Sequence, residues 1–203
     1  VMEEGPSSQI FADPQNDYTK ARVAELGLQD KITLLFEDYR LLTGTYDKLV
    51  SIEMIEAVGD DFLDNYFEKC SSLLKPDGIM VLQAITMVDH RYQQYVSEVD
   101  FIKRYIFPGG CLPSISRMAS AVAKNTDLVI RQVQDIGLDY ARTLADWCSN
   151  FMAARDAVHQ LGYDDKFVRL WHFYLCYCEG GFLERATSAV HMVLTKPGNR
   201  HQV

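Results

Sequence analysis

The chain has 203 residues, 48% apolar and 24% charged, which suits one domain with a useful core and excludes wholesale disorder. Its 28 acids against 20 bases leave a formal charge of −8, opposite to the excess that nucleic-acid binding requires, so no nucleic-acid partner is expected. No run reaches the ~18 apolar residues of a membrane span, and residues 1–6 (VMEEGP) lack the basic and apolar regions of a signal peptide, so a cytoplasmic protein is expected.

In chain order, residues 1–16 are polar and broken by Gly5, Pro6 and Pro14, and read as an irregular arm. Residues 17–26 read as a helix stopped by Gly27, and 31–36 (KITLLF) as a short strand. Residues 46–54 (YDKLVSIEM) read as a buried strand, 60–74 as an amphipathic helix, and 79–87 (IMVLQAITM) as another buried strand. Between the last two, Lys75-Pro76-Asp77-Gly78 reads as a turn with Gly78 at positive φ. A helix is expected over 97–106, ending at Pro108-Gly109-Gly110, then one over 114–124 capped by Ser114. A strand over 128–136, long helical segments over 140–161 and 164–185, and a final strand over 189–196 complete the reading. Alternating strands and helices predict an α/β layer fold with a largely parallel sheet, whose ligand lies beyond the carboxyl ends of the strands.

Those ends hold Glu37-Asp38, then Glu53 and Glu56, then 83–86. In SIEMIEAVG (51–59) an apolar strand ends in two carboxylates three residues apart, where burial raises a carboxyl pKa toward what a general base needs. On pattern alone, a plainer role as helix caps or solvated acids is the stronger alternative. Glu37 could hold a ribose hydroxyl and Phe36 could stack on an adenine, against an ordinary core role for the ring. Phe167, Leu170, Trp171, Tyr174, Leu175 and Cys178 follow helical spacing; they form either a core face or an aromatic wall toward a cation. The five cysteines (70, 111, 148, 176, 178) are odd in number and scattered, as free thiols are. The five histidines show no metal-ligand spacing with one another, His172 reads as a core or rim residue, and no metal is expected.

Five blocks then carry a resemblance: SIEMIEAVG, LKPDGIMVLQAIT, DFIKRYIFPGGCLPS, DIGLDYARTLADW and GYDDKFVRLWHFYLCYCEGGF. In this order they resemble cyclopropane-fatty-acyl-phospholipid synthases, which group with the mycolic acid cyclopropane synthases among class I S-adenosylmethionine (SAM)-dependent methyltransferases. The resemblance covers about 17–197. It implies a Rossmann-like α/β sheet lacking its N-terminal strand and glycine loop, in a partial methyltransferase domain over 17–203, with a helical acyl-binding insertion around 88–125 and helical segments over 140–185. It implies SAM and bicarbonate as cofactors, and cyclopropane formation on the double bond of an unsaturated phospholipid acyl chain, met peripherally at the inner membrane face. A homodimer is left open. Residue by residue, the bicarbonate-holding glutamate falls on Glu56, the family's histidine position on Gln83, a backbone contact on Ile85 and the tyrosine on Tyr140. Phe36 and Glu37 fall on the SAM adenine side, and Phe107, Trp171 and Tyr174 are placed along the acyl chain. The twelve glycines include no counterpart of the family's Gly-rich SAM loop, so the chain is expected to be either a piece of a longer enzyme or a truncated descendant. The alternatives are a non-catalytic lipid- or partner-binding protein of this fold, and a methyltransferase acting on a soluble small molecule.

Overall fold

The computed structural model describes residues 18–201, in two units that meet between Gly44 and Thr45. The expected arm lies outside the described residues. In the first unit, helix α1 (Tyr18–Glu25) ends where expected. Gly27 takes φ 63°, and the Leu28 and Gly27 amides bond back to the carbonyls of Val23 and Ala24. The expected strand over 31–36 does not form: 32–36 has no regular structure. Ile32, Leu35 and Phe36 stay 40–54% exposed, and an extended run becomes a strand only when a neighbour takes its backbone hydrogen bonds.

The second unit holds strands β1 (Tyr46–Ile52), β2 (Leu74–Met87), β3 (Val129–Asp135) and β4 (Thr187–Thr195), in sheet order β1-β2-β4-β3. The expectation of a largely parallel sheet holds for β1, β2 and β3, which run the same way, and fails for β4. β1 runs parallel to β2, but β4 lies antiparallel to both β2 and β3. The cause lies in the β3–β4 connection, where helix α6 (Gly137–Ala153) leads out and helix α8 (Asp165–Leu183) leads back. An out-and-back helix pair delivers the chain to the sheet end it left, so β4 must reverse. The short helix α7 (Arg155–Gln160) sits at the bend, so the expected single helix over 140–161 is broken at Ala154.

Helix α2 (Leu63–Ser72) follows a 3₁₀ turn over Asp60–Phe62. The expected 97–106 helix is two short ones, α3 (Tyr92–Ser97) and α4 (Phe101–Tyr105), the second capped by Asp100. Helix α5 (Ile115–Asn125) is capped by Ser114, which accepts from the Arg117 amide. Gly78 does not take positive φ. Its need for glycine is spatial: an added Cβ would lie 3.0 Å from Leu74 Cδ2, at an irregularity where the register passes from Leu74 opposite Tyr46 to Ile79 opposite Lys48.

Alternation along β2 and β4 sorts the core into two layers. Met80, Leu82 and Ala84 pair with Leu194, Met192 and Val190, all fully buried; on α2 and α5, Phe67, Met118 and Ala121 are fully buried too. On the other face, Ile85 and Ala189 meet α6 and α8 through Ala141, Leu144, Leu175 and Phe182. Gln83 and His191, paired in register, share this second face. Among the described residues, no helix is long and apolar enough to cross a membrane.

Candidate active site

β2 outlasts β1, and this difference builds the site. The last bond between them runs from the Glu53 amide to the Gln83 carbonyl (3.0 Å). The next β2 amide on that side belongs to Ile85, beyond the end of β1, and Glu56 Oε1 accepts it at 2.6 Å. Glu56 reaches it from a 3₁₀ turn over Ile55–Ala57, whose Glu56 carbonyl accepts the Cys111 amide (2.8 Å) and so docks the 107–111 loop. Glu56 Oε2 is buried without a hydrogen-bond partner. Burial pushes the Glu56 carboxyl above its ordinary value and the charge of Glu53 adds to this, while the Ile85 amide opposes it.

Gln83 is the hub of a second set. Its Nε2 donates to Glu53 Oε1 (2.9 Å) and to the Tyr140 hydroxyl (2.7 Å), and its Oε1 lies 2.8 Å from His191 Nε2. A carboxylate can only accept, so the Gln83 amide group facing Glu53 is the NH₂ end. Oε1 then accepts, and His191 carries its proton on Nε2. The Tyr140 oxygen accepts from Gln83, which leaves its own proton free to be donated. Tyr140 opens from the first turn of α6, its ring 5.3 Å from that of Phe182. Glu53 holds φ 50°, an uncommon value for a side-chain-bearing residue and one that marks the strand end as strained.

An aromatic row approaches this set along α8. Ring centroids step from Phe167 to Trp171 (5.5 Å), to Tyr174 (5.1 Å), and across to Phe107 (6.2 Å, edge-on). Burial, helped by the charges of Cys178 and Glu53, pushes the Tyr174 hydroxyl up to about 12. Phe107 is 56% exposed. A separate cavity of about 330 Å³ lies against Asp60, Val99, Lys103 and Cys111, and none of Glu56, Gln83 and Tyr140 lines it.

The structure thus brings Glu56, Gln83, Ile85 and Tyr140 together, with Trp171, Tyr174 and Phe107 as a connected row. Phe36 and Glu37 belong to the first unit; both are exposed. Sequence reasoning missed His191. Its signal was a lone polar ring in an otherwise apolar final strand, and its pairing with Gln83 depends on register.

The fold is that of class I SAM-dependent methyltransferases. A mycolic acid cyclopropane synthase solved with SAH and CTAB superposes with TM-score 0.72 and 23% identity, over 88% of this chain and 67% of that one. The mycolic acid cyclopropane synthetase family model matches residues 9–192, and the chain belongs to that family. A tuberculostearic acid methyltransferase of Mycobacterium tuberculosis is 37% identical over 184 residues, 91% of this chain and 43% of the relative. The cyclopropane-fatty-acyl-phospholipid synthase of Escherichia coli is 34% identical over 166 residues, 81% of this chain and 41% of the relative. The chain therefore spans about two fifths of the length of these curated relatives.

Proposed function

We propose that this chain is the lipid-facing, proton-handling portion of an enzyme that transfers a methyl carbon from SAM to the double bond of an unsaturated phospholipid acyl chain and closes a cyclopropane ring. The observation that carries the reading is the buried Glu56 carboxyl, one oxygen on the Ile85 amide and the other without a partner, beside the Glu53–Gln83–Tyr140 set.

When bound, SAM supplies the electrophilic methyl group, and bicarbonate supplies a base. Phe36 and Glu37 offer a ring face and a carboxylate, the two groups that an adenine and ribose hydroxyls call for. The donor set near Glu56 suits a small anion. Burial favours the protonated carboxyl, so Glu56 can donate from Oε2 where a carboxylate would only repel. The Tyr140 hydroxyl supplies a second O–H. Both Gln83 N–H groups are engaged, so Gln83 fixes Tyr140 and Glu53 and does not itself hold the anion.

As the alkene carbon bonds to the methyl group, positive charge develops on the acyl chain. The ring faces of Trp171, Tyr174 and Phe107 favour that charge and exclude water from it. A proton must then leave the added methyl group so that its C–H electron pair can close the ring. Glu56 and Tyr140 orient the base that accepts it. Val99 (73% exposed), Tyr105 (57%) and Phe107 (56%) give the 88–125 segment an apolar rim suited to peripheral contact with a lipid surface.

A second reading keeps the transfer and changes its end: a 1,2-hydride shift carries the cation to the methyl-bearing carbon, and loss of a proton from the methyl group then leaves a methylene branch. The 37% identity to a tuberculostearic acid methyltransferase favours testing it. Both products add one CH₂, so mass alone does not separate them. The test is the protein in its full-length context with methyl-labelled SAM and vesicles of unsaturated phosphatidylglycerol or phosphatidylethanolamine. Labelled lipid with upfield ring protons is expected, alkene protons would mean the second reading, and no labelled lipid sinks both. Glu56→Leu, which removes both the acceptor for the Ile85 amide and the donor at Oε2, is expected to cut turnover by about 10² or more; full activity in that variant ends the assignment of Glu56, whereas Glu56→Gln keeps an acceptor and a donor and is expected to retain much of the turnover.

A further inference from the structure

The seam between α6 and α8 carries a cluster that this chemistry does not use. His172 and Cys176 stand four residues apart on α8 and so share one stripe of that helix. Cys148 comes from α6, two turns beyond Tyr140. Cys148 Sγ lies 3.9 Å from Cys176 Sγ, which lies 3.7 Å from His172 Nε2, and all three atoms fall within 4.8 Å of one another. Tetrahedral zinc, with its ordinary ligand bonds of about 2.3 Å to sulfur and 2.0–2.1 Å to nitrogen, sets ligand atoms about 3.8 Å (S to S) and 3.6 Å (S to N) apart. The two gaps at Cys176 match those edges before any side chain moves, and the third, from Cys148 to His172, lies within 4.8 Å.

We propose that Cys148, His172 and Cys176 form a three-ligand site for a borderline-soft divalent ion of the zinc class, with water in the fourth position. The donor types are those zinc selects, two thiolates and an imidazole. His172 and Cys176 are exposed and Cys148 is half-buried, so an aqueous ion can reach all three. On binding, both thiols release their protons to solvent. The ion would pin α6 to α8, the two helices whose other residues bring Tyr140, Trp171 and Tyr174 to the site. Its role is therefore to clamp the wall.

The test is a titration of the phosphine-reduced, chelator-stripped chain with Co²⁺, followed by Zn²⁺. One Co²⁺ per chain is expected, with intense visible bands of four-coordinate cobalt and a near-ultraviolet thiolate-to-cobalt band, all lost when Zn²⁺ displaces it. Cys148→Ser and Cys176→Ser should each halve the thiolate band and weaken binding at least ~10-fold, and His172→Gln should weaken binding ~10-fold with the band retained. Cys178→Ser, two residues past Cys176 and on another face of the helix, should change neither. The proposal is overturned if the band survives in the Cys148→Ser/Cys176→Ser double variant. It is equally overturned if the reduced wild type binds no tighter than that variant, as two thiols that merely close a disulfide in air would behave.

Discussion

Glu56 Oε1 accepts the Ile85 amide at 2.6 Å, the first amide on that side of β2 to extend past β1. One carboxyl thereby finishes the sheet and leaves its second oxygen in a buried place with nothing to bond.

This arrangement sets a pH prediction. Burial lifts the folded carboxyl above the ordinary value of 4.5. A group that binds its proton more tightly when folded contributes fully below its unfolded pKa, and the contribution is lost as pH rises through the folded value. Glu56→Gln carries no charge and escapes that loss. Thermal unfolding across acid to neutral pH should show the variant gaining on the wild type as pH rises above about the ordinary carboxyl range. A difference in Tm that stays flat with pH contradicts the buried, proton-holding carboxyl.

Tyr140→Phe separates packing from proton handling. The ring keeps its place 5.3 Å from Phe182, but one Gln83 N–H loses its acceptor. A cost of about 1 kcal/mol in stability is expected. If the hydroxyl orients the base, kcat falls about 10–10²-fold with KM little changed. An unaltered kcat would reduce Tyr140 to a packing residue.

The helices and strands beyond residue 45 are legible because their periodicity is local: Phe62 to Leu74 writes a helical face and IMVLQAIT a buried strand. Glu56 is legible as an acid after a strand, and its role only through the resemblance. What is not legible is set by partners far along the chain. KITLLF has the pattern of a strand but gains no ladder, and the reversal of β4 follows from the out-and-back path of α6 and α8. The contact of Gln83 with His191 spans 108 residues and depends on register. Likewise Cys148, His172 and Cys176 converge only because two helices pack in one particular alignment; the sequence holds just the four-residue spacing of the last two.

Gly137 is a packing constraint on the site. It begins α6, and a Cβ there would stand 2.4 Å from Ser188 Oγ and 3.2 Å from Ser188 Cα on β4. Its amide bonds to Asp135 Oδ1, and Ser188 Oγ bonds to Asp135 Oδ2, so neither strand nor helix can shift freely. Gly137→Ala should destabilise by about 1–3 kcal/mol, read from the denaturant midpoint. Adding Ala to a Ser188→Ala background should cost less, since the nearest atom is gone. Equal costs in both backgrounds would place the strain elsewhere.

Arg117 ties the helical segment after β2 to the elements that follow Glu56. Its guanidinium donates to Asp60 Oδ1 (2.9 Å), Asp64 Oδ1 (2.7 Å) and the Asp60 carbonyl (3.0 Å), and the Tyr92 hydroxyl donates to the same Asp60 oxygen (2.6 Å). The three charged side chains are 22–30% exposed, too buried for solvent to replace the guanidinium fully and too exposed for the penalty of a dry ion pair. Arg117→Ala should therefore cost about 1–3 kcal/mol, and Arg117→Lys about half as much, because an ammonium restores charge but not the fork. The Arg117 hydrogen bond holds the Asp64 carboxyl below its ordinary value. That contribution is present above the unfolded pKa and is lost as pH falls through the depressed one. The gap between wild type and Arg117→Ala should thus narrow in acid, the opposite direction to the Glu56→Gln series. A gap that stays flat with pH would mean that the fork holds the segment by shape alone.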